Sequence, residues 1–308
     1  MADKPSRALV IYGDGFAPLL NQSHAGLHSL ASMGACGFLA LRASAPAPPS
    51  ASGGQPSREI RELSQLLDAY DSLDALVRPL AMFMGLRAAL FTAGSSVGSF
   101  ARKLGFRLLE IDELVKKEAL PVESSMASEL LSLLGLSGGK VSEKSDVDLV
   151  VLHIRAGQEL RALKDKVAIN AGVDWLDGLV STLLRAAQPG SEVAARLHFS
   201  VVLTFGDVAE DEGKNPSALI SPTRNDSDLS LLRPCQSYCM KGGKRLDNIR
   251  HHHPMLVAQW QEGVTRRDSA EEFSFEEFQE RGGNLAILAD RFLHELAFKL
   301  WKAPKYGA

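Results

Sequence analysis

Two aspartates in this 308-residue chain stand where an apolar run gives way to a turn. Asp14 follows Ala8–Tyr12 in Gly13-Asp14-Gly15, and Asp207 follows His198–Phe205 in Phe205-Gly-Asp-Val208. If the two runs are neighbouring strands, these carboxylates could be the metal ligands of one weak Mg2+ or Mn2+ site. Each is also accounted for as a helix cap or turn residue, the commonest use of Asp. A second constellation is His251-His252-His253 with Cys235 and Cys239, spaced C-x3-C-x11-H. That spacing approaches zinc-site spacings. Adjacent histidines in an extended chain point to alternate sides, however, so the cluster reads as a solvated histidine-rich loop.

Between residues 233 and 250, Arg233, Lys241, Lys244, Arg245 and Arg250 face a single acid, Asp247. Lys241-Gly-Gly-Lys244 could cradle an anion, because glycine admits close backbone approach and lysine supplies charge. It lacks the strand, helix and Ser/Thr of a P-loop, and a solvated basic loop is the favoured account. Gly94-Ser-Ser-Val-Gly98 could hold a phosphate on a helix N-terminus or be a cap made by Ser95 or Ser96. Asp165, Asp174 and Asp177 read as cap and solvated-face residues, and no G-x-S-x-G nucleophile elbow occurs in the right setting.

The elements that must position these groups alternate. Apolar runs at Ala8–Tyr12, Phe38–Leu41, Gly85–Thr92, Arg107–Ile111, Asp148–Ile154 and His198–Phe205 predict strands. Helical spacing appears at His24–Met33, Ile60–Tyr70, Val97–Leu104, Glu123–Leu134 and Lys166–Ala187, with a last amphipathic helix at Leu285–Trp301. Such alternation predicts one doubly wound α/β domain over residues 1–308, with a mainly parallel sheet and helices on both faces. Residues 43–57 carry four prolines and two glycines among small polar residues and read as a flexible linker. Residues 216–284 read as a loop-rich segment.

The composition is that of a globular protein, with 45% hydrophobic and 23% charged residues. A balance of 34 basic against 37 acidic residues gives no field for nucleic acid. Three cysteines are too few for a secreted disulfide framework and suggest a reducing compartment. No run is long enough to span a membrane. The short leader before Ala8 leaves little room for a targeting peptide. The expectation is a cytoplasmic protein.

The order of the motifs carries a resemblance. Ala8–Gly15, Gly34-Ala-Cys-Gly37, Gly85–Ala93, Asp148–Ile154, and Gly282-Gly-Asn284 through Lys302–Ala308 fall in the sequence found in archaeal-type cofactor-independent phosphoglycerate mutases. The chain is therefore similar to members of the alkaline phosphatase superfamily of metal-dependent phosphoryl-transfer enzymes. That resemblance implies two divalent metals clamping a phosphoryl group, held by about six or seven Asp, His and Ser ligands. Asp14 and Asp207 match two of the family's aspartates. The histidine that follows the second is Val208 here. Where the family has Lys-Gly-Pro-Asp-Glu-Ala-Gly-His-Asp, this chain reads Arg155-Ala-Gly-Gln-Glu-Leu-Arg-Ala-Leu163, so Gln158 and Ala162 replace an aspartate and a histidine. The last histidine would fall near Asn215-Pro216-Ser217, where none occurs. Only Ser50 and Ser52 stand near the nucleophile's place, and about fifty residues between Gly37 and Gly85 are too few for the family's cap domain.

Two aspartates cannot hold two metals, and Val and Ala have no lone pair to offer. On this reading the cofactor is none, or a weakly bound divalent ion. The function expected is that of a pseudoenzyme, a binding or scaffold protein with a protein partner or a small phosphorylated ligand. The alternative is an active metal-dependent phosphatase or phosphomutase with a remodelled metal site. A third reading is an unrelated α/β protein that binds an anion at Lys241–Arg250. If the metals are lost, positive charge must replace them. The groups expected to do so, or to hold an anion, are Lys241, Lys244, Arg245, His251, His252 and His253, with Arg233 and Arg250 beside them.

Overall fold

The computed structural model describes residues 6–43, 56–72, 83–110, 122–157, 169–207, 227–233, 238–282 and 285–305. Within them, the apolar runs became the strands of one sheet. These are β1 (Arg7–Asp14), β2 (Ala35–Arg42), β3 (Ala88–Thr92), β4 (Arg107–Glu110), β5 (Leu149–Arg155) and β6 (Leu197–Leu203). Two further strands complete it, β9 (Ile249–Trp260) and β10 (Ala286–Leu288), after a separate small hairpin of β7 (Met240–Lys241) and β8 (Lys244–Arg245). The eight strands run in the order β10-β2-β9-β6-β1-β5-β3-β4. All are mutually parallel except β9, which is antiparallel to both β6 and β2.

Strand β1 lies at the centre and shows why the sheet is covered on both sides. Its residues are buried without exception. Leu9 and Ile11 enter one core with helices α1 (Ala25–Met33), α4 (Val122–Leu133), α5 (Ile169–Ala186) and α7 (Phe275–Arg281). Ala8, Val10 and Tyr12 enter the other with α2 (Arg58–Leu66), α3 (Ser95–Leu104) and α8 (Phe292–Lys299). A strand buried on two faces has no use for alternation, so it reads as a continuous apolar run. A short helix, α6 (Glu192–Arg196), leads directly into β6. The expected doubly wound, mostly parallel α/β architecture is the one observed.

Two elements differ from expectation. The segment expected to be loop-rich contains the 12-residue strand β9. Its register against β2 shifts, with Leu39 opposite Met255 and Leu41 already opposite Arg250, so His251–Pro254 form a bulge. Proline inside a sheet is tolerated at such a bulge, and His253 takes a positive φ of 50° there. The helix expected over Leu285–Trp301 is shorter; its first residues form β10 instead, beside β2. Most of the linker 43–57 lies outside the described residues. No helix among the described residues is long and apolar enough to cross a membrane.

Candidate functional site

In a parallel α/β sheet the loops at the strands' C-terminal ends converge, and ligand sites gather there. Asp14 ends β1, Arg155 ends β5, and Asp207 lies just beyond β6. The loops after β1 and β6 pack backbone to backbone. A Cβ on Gly206, whose φ is +65°, would stand 2.7 Å from the Gly15 Cα. That position therefore requires glycine both for its conformation and for the close approach.

Above this edge lies the first turn of α2. Ser57 caps the helix by accepting from the Ile60 N–H. The next residue, Arg58, turns its guanidinium into the cleft. Its Nη1 and Nη2 lie 2.7 and 2.8 Å from the two oxygens of Asp14, a forked pairing. Nη1 also donates to Glu62, one helical turn on, at 2.9 Å, and Nε reaches Asp207 at 3.2 Å. Every nitrogen of the group has a carboxylate. The Thr204 hydroxyl donates to Asp14 at 2.8 Å, and Arg155 joins Asp207 at 3.1 Å while approaching Asp14 at 3.7 Å. Arg250 closes the far side, donating to Glu62 at 2.9 Å and to the His253 carbonyl. Behind these, His153 is 3.2 Å from Glu59 and hydrogen bonds with Thr92, and its ring stacks on Tyr12.

The electrostatics follow from burial. The Asp14 side chain is fully enclosed and Arg58 is 5% exposed, whereas the Asp207 side chain is 74% exposed. Burial works against the Arg58 charge, but the bond to Asp14 and the charge of Glu62 outweigh it and hold Arg58 above its ordinary pKa. For Glu62 burial prevails and raises its pKa despite Arg250 and Arg58. Asp207 is lowered, its desolvation being outweighed by the combined bonds and charges of Arg58 and Arg155. Tyr12 is pushed well up by burial and by the nearby Glu62 and Asp14 charges.

The structure therefore unites Asp14 and Asp207 as expected, but through different cations. Arg58 and Arg155 neutralise them, where the sequence pointed to residues 233–253. From that segment Arg250 reaches the cluster, and it meets Glu62. Lys241 is drawn to a neighbouring group instead, 2.7 Å from Asp290 and 3.0 Å from Asp71, which Arg42 also binds. Lys244 and Arg245 are exposed in the β7–β8 hairpin. The supposed anion cradle Lys241-Gly-Gly-Lys244 is that hairpin's two-residue turn, with Gly242 and Gly243 at φ +56° and +74°. His251 hydrogen bonds Tyr238, His252 lies 3.4 Å from Asp228, and the His253 ring packs on Phe205.

The remaining candidates are equally specific. Gly94, not Ser95 or Ser96, is the N-cap of α3 and makes no side-chain bond there. Asp177 caps another helix, accepting from the N–H groups of Gly26 and Leu27 in α1, while Asp174 lies 3.4 Å from His24. Ser50, Ser52, Gln158, Ala162, Asp165, Val208, Asn215–Ser217 and Cys235 lie outside the described residues.

A divalent metal does not fit what is present. Both Asp14 oxygens face a guanidinium that occupies the place a cation would take, and no group of three His, Cys, Asp or Glu side chains among the described residues could ligate one. What the cluster can do is bind charge to charge: three guanidiniums interlock with four carboxylates, two of the carboxylates deeply buried.

No protein-family model and no curated protein matches the sequence. Solved structures do. The PH0037 protein from Pyrococcus horikoshii matches over 99% of both chains, with a TM-score of 0.53 and 13% identity. The lipoteichoic acid synthase LtaP from Listeria monocytogenes matches 99% of this chain and 74% of its own, with a TM-score of 0.50 and 9% identity. A protein in the alkaline phosphatase superfamily from Vibrio parahaemolyticus matches 96% of this chain and 67% of its own, at 0.47 and 11%. What is shared at such identities is architecture: the chain has the mostly parallel α/β fold of the PH0037 and LtaP structures.

Proposed function

We propose that this protein is a non-catalytic relative of metal-dependent phosphoryl-transfer enzymes, in which the site at the C-terminal ends of the strands has become a structural salt-bridge cluster. The observation that carries this reading is the forked, buried Arg58–Asp14 pair. A phosphoryl-transfer site of the resembling kind needs cations that draw negative charge from a substrate. Here the cation's charge is already spent on Asp14, Asp207 and Glu62, and the side chain is held at 5% exposure with no face open to a phosphate. Expelling Arg58 to admit a metal would mean breaking four short contacts at once. The protein then acts by binding, and the chemistry that once lay at this edge survives only as scaffold.

The reading is tested by titrating the purified protein with Mg2+ and Mn2+ and by assaying p-nitrophenyl phosphate hydrolysis with either ion. Neither saturable metal binding nor turnover above background is expected. Turnover that disappears on Asp14→Ala would overturn the proposal.

A further inference from the structure

The opposite end of the sheet is built differently. A cavity of about 620 Å3 opens there, at the N-terminal ends of the parallel strands. The residue that starts or immediately precedes each of four central strands lines it: Arg7 at β1, Arg87 before β3, Asp148 before β5 and Arg196 before β6. Lys302, from the chain after α8, completes the set.

In this cavity two cations share one carboxylate, and the other two meet none among the described residues. Arg87 occupies Asp148 with Nη2 at 2.7 Å and Nε at 3.3 Å, and Lys302 comes only within 3.6 Å of the same carboxylate. Arg7 spends its terminal N–H groups on the carbonyls of Leu134, Gly135, Ser142 and Glu143, so its charge meets no carboxylate among the described residues. The Arg196 guanidinium makes no hydrogen bond or ion pair to any described residue, and its Nε is buried without a partner. Burial holds both arginines below their ordinary pKa, and for Arg7 the nearby Arg196 charge adds to the effect while Asp148 opposes it. Two partly desolvated guanidiniums that repel each other beside an open cavity form an arrangement that a bound anion would relieve. The remaining acids of the lining, Glu143 and Glu192, are exposed.

We propose that this cavity binds a phosphate-bearing small molecule, with the phosphate held by Arg196 and Lys302. The planar fork of a guanidinium matches two phosphate oxygens, and the ammonium adds a point charge. The volume lies within the range of small-molecule pockets, about 300–1,000 Å3, and Val141, Ala195 and Leu300 give the rest of the ligand an apolar surface. This site lies across the sheet from the Arg58 cluster and does not depend on that cluster's inactivity.

Thermal unfolding in sodium phosphate against sodium chloride of matched ionic strength tests the proposal, because an anion that binds the folded state raises the melting temperature. A rise of a few degrees specific to phosphate is expected for the unaltered protein and for Lys244→Gln, which changes the exposed hairpin. The rise should vanish in Arg196→Gln, whose guanidinium gives up no hydrogen bond or ion pair to a described residue, and shrink in Lys302→Met, which serves if the first variant folds poorly. No phosphate-specific rise in the unaltered protein, an equal rise in Arg196→Gln and Lys302→Met, or a rise lost in Lys244→Gln would each overturn it.

Discussion

At the C-terminal edge of the sheet all three guanidinium nitrogens of Arg58 meet carboxylates. At the N-terminal edge Arg196 meets none and faces a cavity. The two edges carry similar residues, and the difference is stoichiometry. Four carboxylates around three arginines leave no charge to offer a ligand. Arginines that outnumber their reachable carboxylates leave a field that something in solution can use. A parallel sheet conventionally binds at the first edge. In this molecule that edge is closed by its own side chains, and the second one is open.

The sharpest way to break the contrast is to remove the closure. Arg58→Met would leave Asp14, fully buried, with only the more distant Arg155 at 3.7 Å as a countercharge. Taking one partner from a buried pair costs about 3–5 kcal/mol, so urea denaturation should show a loss of that size. The double variant Arg58→Met/Asp14→Asn, which strands no charge, should recover at least half of it. A single-variant loss below about 1 kcal/mol would mean that the pair does not hold this edge together.

A smaller effect comes from Asp68, beside the closed edge in the Lys241 group. Burial raises its pKa to about 6, partly opposed by Lys241. Its folded-state pKa exceeds the unfolded value of about 3.9, so the native protein holds its proton more tightly. The stabilisation from this group is full below about pH 4 and is lost as pH rises through 6. Asp68→Asn keeps a residue that tolerates the positive φ of 51° and cannot ionise. It should be more stable than the unaltered protein at pH 7 by on the order of 1 kcal/mol, with the difference gone at pH 4. Equal stability curves across that window would show that Asp68 ionises freely.

How much of this could be read from residues alone differs between the fold and the sites. Strands buried on both faces announce themselves, as in Ala8–Tyr12 and Leu149–Ile154. Strand β9 did not, because Pro254 and three histidines interrupt it, and those sit in a bulge that only the pairing with β2 explains. Asp14 and Asp207 were legible from their place after strands. Arg58, Glu59 and Glu62 were not, since a helix with Ile60, Leu63 and Leu66 at regular spacing is expected to show its charges to water. One signal was available: two basic and two acidic residues, Arg58, Glu59, Arg61 and Glu62, crowd into one turn directly after the Pro/Ser/Gly stretch. The basic residues at strand starts, Arg7, Arg87 and Arg196, were visible too, but a charge beside an apolar run is the ordinary way for a strand to reach water.

The smallest expected effect bears most directly on the comparison. Arg196→Gln removes a guanidinium that makes no hydrogen bond or ion pair to any described residue and that lies near Arg7. Without ligand, stability should change by less than about 0.5 kcal/mol, and toward greater stability, because a partly desolvated charge and its repulsion of Arg7 are both removed. The same substitution made at Arg58 is expected to cost several times more, although both residues are arginines at the rim of one sheet. Urea curves of the two variants, measured in a buffer free of phosphate and sulfate, give the ratio directly. If Arg196→Gln instead loses more than about 1 kcal/mol, its guanidinium has a structural partner. The N-terminal edge would then be closed in the same manner as the other, and the cavity would have no free cation to offer.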